Sequence, residues 1–196
     1  LSNMASIYSS NGKYKEAVEL TKKAMDIQKN LYGEKYDAYI TSLNNLALFY
    51  KQTGDYDSAE KNFEKASELR KELQGENHAD YATTIYNLAN IKIDRGDYID
   101  AEKLLIKALE IQKLTVGENH SSYANTLNSI AGLYSAIGNY QLAGETYDKC
   151  RIIFEKVYGD MHPEYATFLN NLGLFYFESG NYDKSEDVLK KSLEIQ

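Results

Sequence analysis

The sequence predicts an all-α solenoid, a stack of helix pairs, and three observations predict it. Gly12, Gly54, Gly96, Gly138 and Gly180 recur every 42 residues, each followed two residues later by a tyrosine: Tyr14, Tyr56, Tyr98, Tyr140 and Tyr182. A second glycine series, Gly33, Gly75, Gly117 and Gly159, keeps the same period. No segment shows the period-two alternation of a strand, and a single Pro in 196 residues favours uninterrupted helices. Self-similarity at a fixed period of this length is the mark of a repeat architecture. The units are 1–42, 43–84, 85–126, 127–168 and a partial 169–196, read as one array.

Each unit is expected to hold two helices. The first helices lie near 1–11, 37–53, 79–95, 121–137 and 163–179. The second unit shows why: Leu43, Leu46, Ala47 and Tyr50 sit at i, i+3, i+4 and i+7, one helical face. Gly54 ends that helix, since glycine accepts a positive φ without steric cost. Asp55 is placed to cap the next helix, as are Asp97, Asn139 and Asn181 in later copies. The second helices lie near 14–32, 56–74, 98–116, 140–158 and 182–196. Ala59, Phe63 and Ala66 give the one in the second unit its stripe, which Leu69 and Leu73 continue to Gly75. The loop Glu76-Asn77-His78 then leads into the third unit. The same pattern returns as Ile85, Leu88, Ala89 with Ala101, Leu105, Ala108, and as Leu127, Ile130, Ala131, Tyr134 with Ala143, Tyr147, Cys150. Small residues let helix axes approach closely: Ala47 is expected to face Ala59, and Ala66 to meet the next unit. One pair cannot bury its own apolar face, so units stack around an elongated core. Two residues depart from the pattern: Gly144 sits inside a second helix, and Thr21 replaces a large apolar residue.

The spacing Leu43, Leu46, Ala47, Tyr50, Ala59, Phe63, Ala66 resembles the signature of the tetratricopeptide repeat. The usual unit of that family has 34 residues; here it has 42. The segments Leu43-Asn44-Asn45-Leu46-Ala47 and Gly75-Glu76-Asn77-His78 are similar to the long-helix variant of kinesin light chains and many bacterial and protist proteins. The resemblance implies a right-handed superhelix whose first helices line a concave groove for a peptide or partner surface.

Helical phase assigns the groove residues. The face turned ~100–180° from the core stripe, at ~100° per residue, carries Asn44, Leu48 and Lys51. Its equivalents are Tyr86, Asn90 and Ile93; Asn125, Asn128 and Ser135; and Asn170, Leu174 and Phe177. Asn and Ser suit a peptide backbone, because an amide both donates and accepts. Leu48, Tyr86, Ile93, Leu174 and Phe177 offer apolar contacts. Chaperone-binding members of the family clamp a carboxylate with paired cations, but Lys51 is the only cation in these rows, beside Asp94 and Glu178. Mixed polar–apolar or basic ligands fit better.

The composition excludes other classes. Lys and Arg number 22 against 29 Asp and Glu, a net charge of −7, which opposes binding to nucleic acid or an anionic membrane surface. No apolar run is long enough to span a bilayer, and no secretion signal is visible. A single cysteine points to a reducing, cytoplasmic setting. His78, His120 and His162 recur in one loop, too far apart to share a metal ion, and are expected to cap or pack. Tyr39, Tyr81, Tyr123 and Tyr165 read as a further apolar layer, and Cys150 as an inert core thiol standing where other units have alanine. No nucleophile, acid/base pair, metal site or cofactor motif is found, so no enzyme is expected in this segment. The chain begins in phase with Leu43 and stops inside a second helix, the pattern expected of part of a longer protein. Three functions remain: an interaction scaffold, the regulatory arm of a larger enzyme such as a CHAT-type protease or a nucleotide-binding signalling protein, or an architectural solenoid that self-associates through its terminal repeats.

Overall fold

The computed structural model describes residues 1–195. Among them ten helices alternate in two kinds, and no strand occurs. The first helices are α1 (Ser2–Ser10), α3 (Asp37–Gln52), α5 (Ala79–Arg95), α7 (Ser121–Ala136) and α9 (Pro163–Glu178). The second helices are α2 (Tyr14–Tyr32), α4 (Tyr56–Gln74), α6 (Tyr98–Thr115), α8 (Tyr140–Tyr158) and α10 (Tyr182–Ile195). Every expected boundary within the described residues holds to within one residue, and the expected end at 196 lies outside them. None of the helices is long and apolar enough to cross a membrane.

Local chemistry sets these boundaries. The carboxylate of Asp55 accepts from the Ser58 N–H at 3.1 Å and the Asn139 amide oxygen from the Leu142 N–H at 3.3 Å, so each caps the helix that follows it. The three histidines cap as well. Nδ1 of His78, His120 and His162 accepts from the backbone N–H of Asp80, Ser122 and Glu164 at 3.1–3.2 Å. The two glycine series do different work. Gly96 adopts the ordinary left-handed conformation, φ 82° and ψ 9°. Gly75 instead takes φ 86° and ψ 167°, a region open essentially to glycine alone.

The chain forms two compact units, one of residues Leu1–Leu104 and a second from Leu105 onward. In the first, α3 packs on both α2 and α4, and α4 also packs on α5. A first helix held between two second helices needs a wider apolar surface than one stripe. That explains a buried row the sequence reading left out: Phe49 and Ile91 in this unit, Leu133 and Phe175 in the other. Ala47, Ala59 and Phe63 share a cluster with Leu88 and Ile91. Burying a side chain such as Phe63 contributes roughly 1.5–3 kcal/mol. Ala66 was expected to meet the next unit, but it lies in the cluster of Tyr39, Ile40 and Leu43, on its own first helix. Its counterparts agree, since Cys150 Sγ lies 3.5 Å from the Ala124 carbonyl and the Ser192 hydroxyl 2.8 Å from that of Ala166.

The second unit has a more aromatic core. Phe154 stacks on Phe168 with centroids 4.7 Å apart, and Tyr147 meets Phe175 at 5.1 Å. Burial pushes the Cys150 thiol far above its ordinary range, which keeps it an unreactive core group. Gly173 takes the position that is Ala5, Ala47, Ala89 and Ala131 in the other copies. Leu189 of α10 fills the space, since a Cβ at Gly173 would lie 2.6 Å from it. The Ser185 hydroxyl donates to the Gly173 carbonyl at 2.8 Å, tying α10 to α9.

Candidate functional site

The residues assigned to the groove fall on first helices, and each unit presents its own set. In the first unit α3 contributes Asn44, Leu48 and Lys51. The Asn44 amide nitrogen donates to the Ile40 carbonyl at 3.3 Å, one turn back on its own helix. Its Oδ1 is buried and has no partner. Leu48 is exposed. Lys51 Nζ pairs with Asp94 of α5 at 2.8 Å, both side chains about one third exposed. On α5, Tyr86, Asn90 and Ile93 are all half-buried, and Asn90 donates to the Tyr86 carbonyl at 3.0 Å.

The second unit repeats this geometry with different chemistry. Asn125 and Asn128 of α7 are half-buried, and Asn128 Oδ1 is again buried without a partner. Asn44 and Asn128 occupy the same repeat position, two units apart. Ser135 is not an open groove residue: it is only 7 % exposed and gives its hydroxyl proton to Glu178 of α9 at 2.7 Å. That contact uses the same two repeat positions as Lys51 and Asp94, so both units tie one first helix to the next there. Asn170 is half-buried, whereas Leu174 and Phe177 are 57 % and 60 % exposed. The Phe177 ring meets Tyr182 edge-on at 5.5 Å.

These contacts decide what the face can recognise. Its one cation is already neutralised by Asp94, and the Glu178 carboxylate already accepts a hydrogen bond. What remains is amide groups and apolar side chains, a surface for hydrogen-bonding and apolar ligand groups rather than for strong charge. In the histidine series Nδ1 of each ring is taken by a backbone N–H. Among the described residues no three of His, Cys, Asp and Glu converge as metal ligands would.

Sequence reasoning missed a lysine series. Lys23, Lys65, Lys107, Lys149 and Lys191 recur every 42 residues. Lys65 lies over the Tyr39 ring at 5.6 Å and also bonds Glu34 at 3.0 Å; Lys191 lies over Tyr165 at 5.1 Å. The signal was the period itself, read for apolar residues and not for charge. Arg70 was missed too. It is buried and reaches Asp37 and, at 2.9 Å, the Thr41 hydroxyl of α3, with Asp80 of α5 at 3.4 Å, joining two successive first helices. The tyrosines Tyr39, Tyr81 and Tyr165 are buried as the apolar layer requires, and Tyr123 packs against that core.

Comparison with known proteins follows the same lines. The family model described as tetratricopeptide repeat matches residues 1–72, 39–92, 80–143 and 123–196. No curated protein matches the sequence. Among solved structures, one similar chain comes from Podosopora anserina and is described as a kinesin light chain with nearly identical TPR-like repeats. It is 24 % identical, with a TM-score of 0.78, and the match covers 99 % of this chain and 92 % of that one. BtubC (BKLC) from P. vanneervenii is 24 % identical with a TM-score of 0.81, covering 97 % and 76 %. The apo form of RapI is 20 % identical with a TM-score of 0.72, covering 99 % and 81 %. Likeness at this level of identity is likeness of fold.

Proposed function

Since the chain belongs to the tetratricopeptide repeat family, we propose that it is a non-enzymatic interaction scaffold that holds a peptide or partner surface against its first-helix faces. One observation carries this reading. Leu174 and Phe177 stand exposed beside half-buried Asn170, while the charged groups of the same rows are satisfied internally. Such a face favours an extended segment of neutral or mixed character. In the second unit its apolar side chains lie against Leu174 and Phe177 and its backbone bonds to Asn128 and Asn170; in the first unit Leu48 and Asn44 offer the same chemistry by themselves. The Oδ1 atoms of Asn44 and Asn128 support this, because each is an acceptor left unused within the chain.

Replacement of groove residues tests the reading. Asn128→Ala and Asn170→Ala should each weaken capture of the partner by about 0.5–1.5 kcal/mol with the fold unchanged. Leu174→Asp should act more strongly, since a charge is costly to desolvate on binding. Glu64→Ala, an exposed change on α4, should be silent. Affinity that ignores all three groove changes, measured by calorimetry with the captured partner, refutes the assignment.

Self-association is a second reading, favoured by Leu193. It is 72 % exposed, whereas its counterpart Met25 is buried in the first unit. Leu189 of the same helix packs on Gly173 instead. Sedimentation at two concentrations should show a concentration-dependent mass that Leu193→Lys abolishes; a constant monomer mass refutes this reading.

A further inference from the structure

The fixed period lets one crevice be compared with another. In the first unit the crevice between α4 and α5 is closed by charge. Glu60 of α4 pairs with Lys92 and, at 3.3 Å, with Arg95 Nε, and Asp57 pairs with the same Arg95. What is left is a cleft of about 410 Å³ at the turn, lined by Gly54, Asp55, Tyr56, Asp57, Asp94 and Arg95. Ile91 of α5 is fully buried and no part of that lining.

In the second unit the crevice between α8 and α9 has lost every one of those charges. Gln141 stands for Asp57, Gly144 for Glu60, Tyr176 for Lys92 and Ser179 for Arg95. A cleft of about 440 Å³ results, and its lining now includes Gly144 and Phe175, the counterpart of Ile91. A Cβ at Gly144 would lie 3.4 Å from the Phe175 Cζ, so the ring edge forms the floor. The position of Gly144 carries glutamate in three of the five copies, Glu60, Glu102 and Glu186. The repeat's own pattern therefore puts a carboxylate-bearing stem where this crevice has none.

A cation has been supplied from elsewhere. Lys184 of α10 lines the cleft, and its Nζ sits 5.5 Å from the centroid of the Tyr176 ring. It forms no ion pair among the described residues. Burial and the Asp148 carboxylate raise the Tyr176 phenol above its ordinary value, against the pull of Arg151, so it stays a protonated donor. Asn181 gives its amide to the Ser179 hydroxyl at 3.0 Å, Ser179 gives that hydroxyl's proton to the Tyr176 carbonyl at 3.2 Å, and Gln141 gives one amide N–H to Glu145 at 3.3 Å.

We propose that the cleft of Gly144, Phe175, Tyr176 and Lys184 is a second binding site, which takes one glutamate side chain of a partner polypeptide. The methylene stem lies over Gly144 and the Phe175 edge. The carboxylate accepts from the Lys184 ammonium and the Tyr176 hydroxyl, charge-assisted bonds roughly twice as strong as neutral ones. Asp148, also on the lining, repels any acidic group, so the Lys184 charge must hold the one carboxylate against it and a second acidic residue beside the first is disfavoured. The segment recognised is thus a single glutamate between neutral or basic neighbours. None of Asn128, Asn170 and Leu174 lines this cleft, so its test is separate from that of the first-helix face.

The test uses the whole chain, 15N-labelled, titrated with acetyl-Ala-Glu-Ala-amide and with acetyl-Ala-Gln-Ala-amide. The Gly144 amide resonance should shift saturably with the first, and at least about tenfold more weakly with the second, as loss of a charged hydrogen bond requires. Lys184→Met should erase that preference. Gly144→Glu supplies the side chain in cis: it should raise the thermal midpoint, abolish the peptide-induced shift, and lose its gain when combined with Lys184→Met. Equal binding of the two peptides, no saturable shift at Gly144 in the folded chain, or a preference that survives Lys184→Met would each overturn the proposal.

Discussion

Gly144 and Gly173 are both helical glycines, yet they answer opposite needs. A Cβ at Gly144 would make ordinary contact with Phe175, and the position pays the backbone entropy of a helical glycine. Gly144→Ala should therefore stabilise the chain by up to about 1 kcal/mol. At Gly173 the same substitution drives a methyl into Leu189, whose branch point would lie 2.6 Å away. Gly173→Ala should destabilise by roughly 1–3 kcal/mol, the usual range for overpacking. Urea denaturation of the two variants should show midpoints moving in opposite directions. The sequence could place both glycines on helices but could not tell them apart. The difference lies in which neighbour faces each one, and that depends on a contact between helices. Ser135 is a similar case: its phase marks it as groove-facing, but the Glu178 carboxylate on the next first helix claims its hydroxyl.

At the scale of the element, nearly everything regular was legible, because periodicity and glycine punctuation are local signals. Among the described residues the ten helices were placed to within one residue. The caps were only half legible. Asp55 and Asn139 are ordinary capping residues, and the recurrence of His78, His120 and His162 in one loop marked them to cap or pack, but which of the two, and through Nδ1, appears only once the loop has folded. His120→Ala should cost about 0.5–2 kcal/mol through loss of the α7 cap, and His120→Asn should restore most of it. Chemical denaturation decides this, and an alanine variant as stable as the native chain would show that the contact adds nothing. The width of the buried surface was underestimated for a definite reason. A single stripe describes a helix with one neighbour, while α3 has one on each side, so Phe49 turned out buried as well.

At the scale of the molecule, stability should be graded along the chain. Repeat arrays are held by nearest-neighbour contacts, and a helix with fewer neighbours opens first. In the first copy the positions of buried Phe49 and Ile91 fall to Ile7, which is 60 % exposed, and the place of Phe63 is taken by Thr21. Thr21 is buried and satisfies its hydroxyl on the Ala17 carbonyl at 2.8 Å, but it fills less volume. Native-state hydrogen exchange should find residues 1–32 the least protected; greatest protection there would refute the grading. The proposed binding faces were legible as lists of positions on one side of successive helices. The ion pair and the hydrogen bond that tie those helices together were not, because each joins residues 43 apart in sequence, Lys51 to Asp94 and Ser135 to Glu178.

The strict period also bears on how such a chain can change in length. No insertion interrupts the 42-residue register, and the cluster of Ala47, Ala59, Phe63, Leu88 and Ile91 in one unit returns as Ala131, Ala143, Tyr147, Leu172 and Phe175 in the other. Excision of residues 43–84 would bring Ile85, Leu88 and Ile91 into the places of Leu43, Leu46 and Phe49. Gln28 already stands at the position of Arg70. Unequal recombination in the gene could therefore add or remove whole copies while the surviving helices keep their partners. For a protein of this kind, length is a heritable variable that changes in quanta, and the reach of its binding surface changes with it.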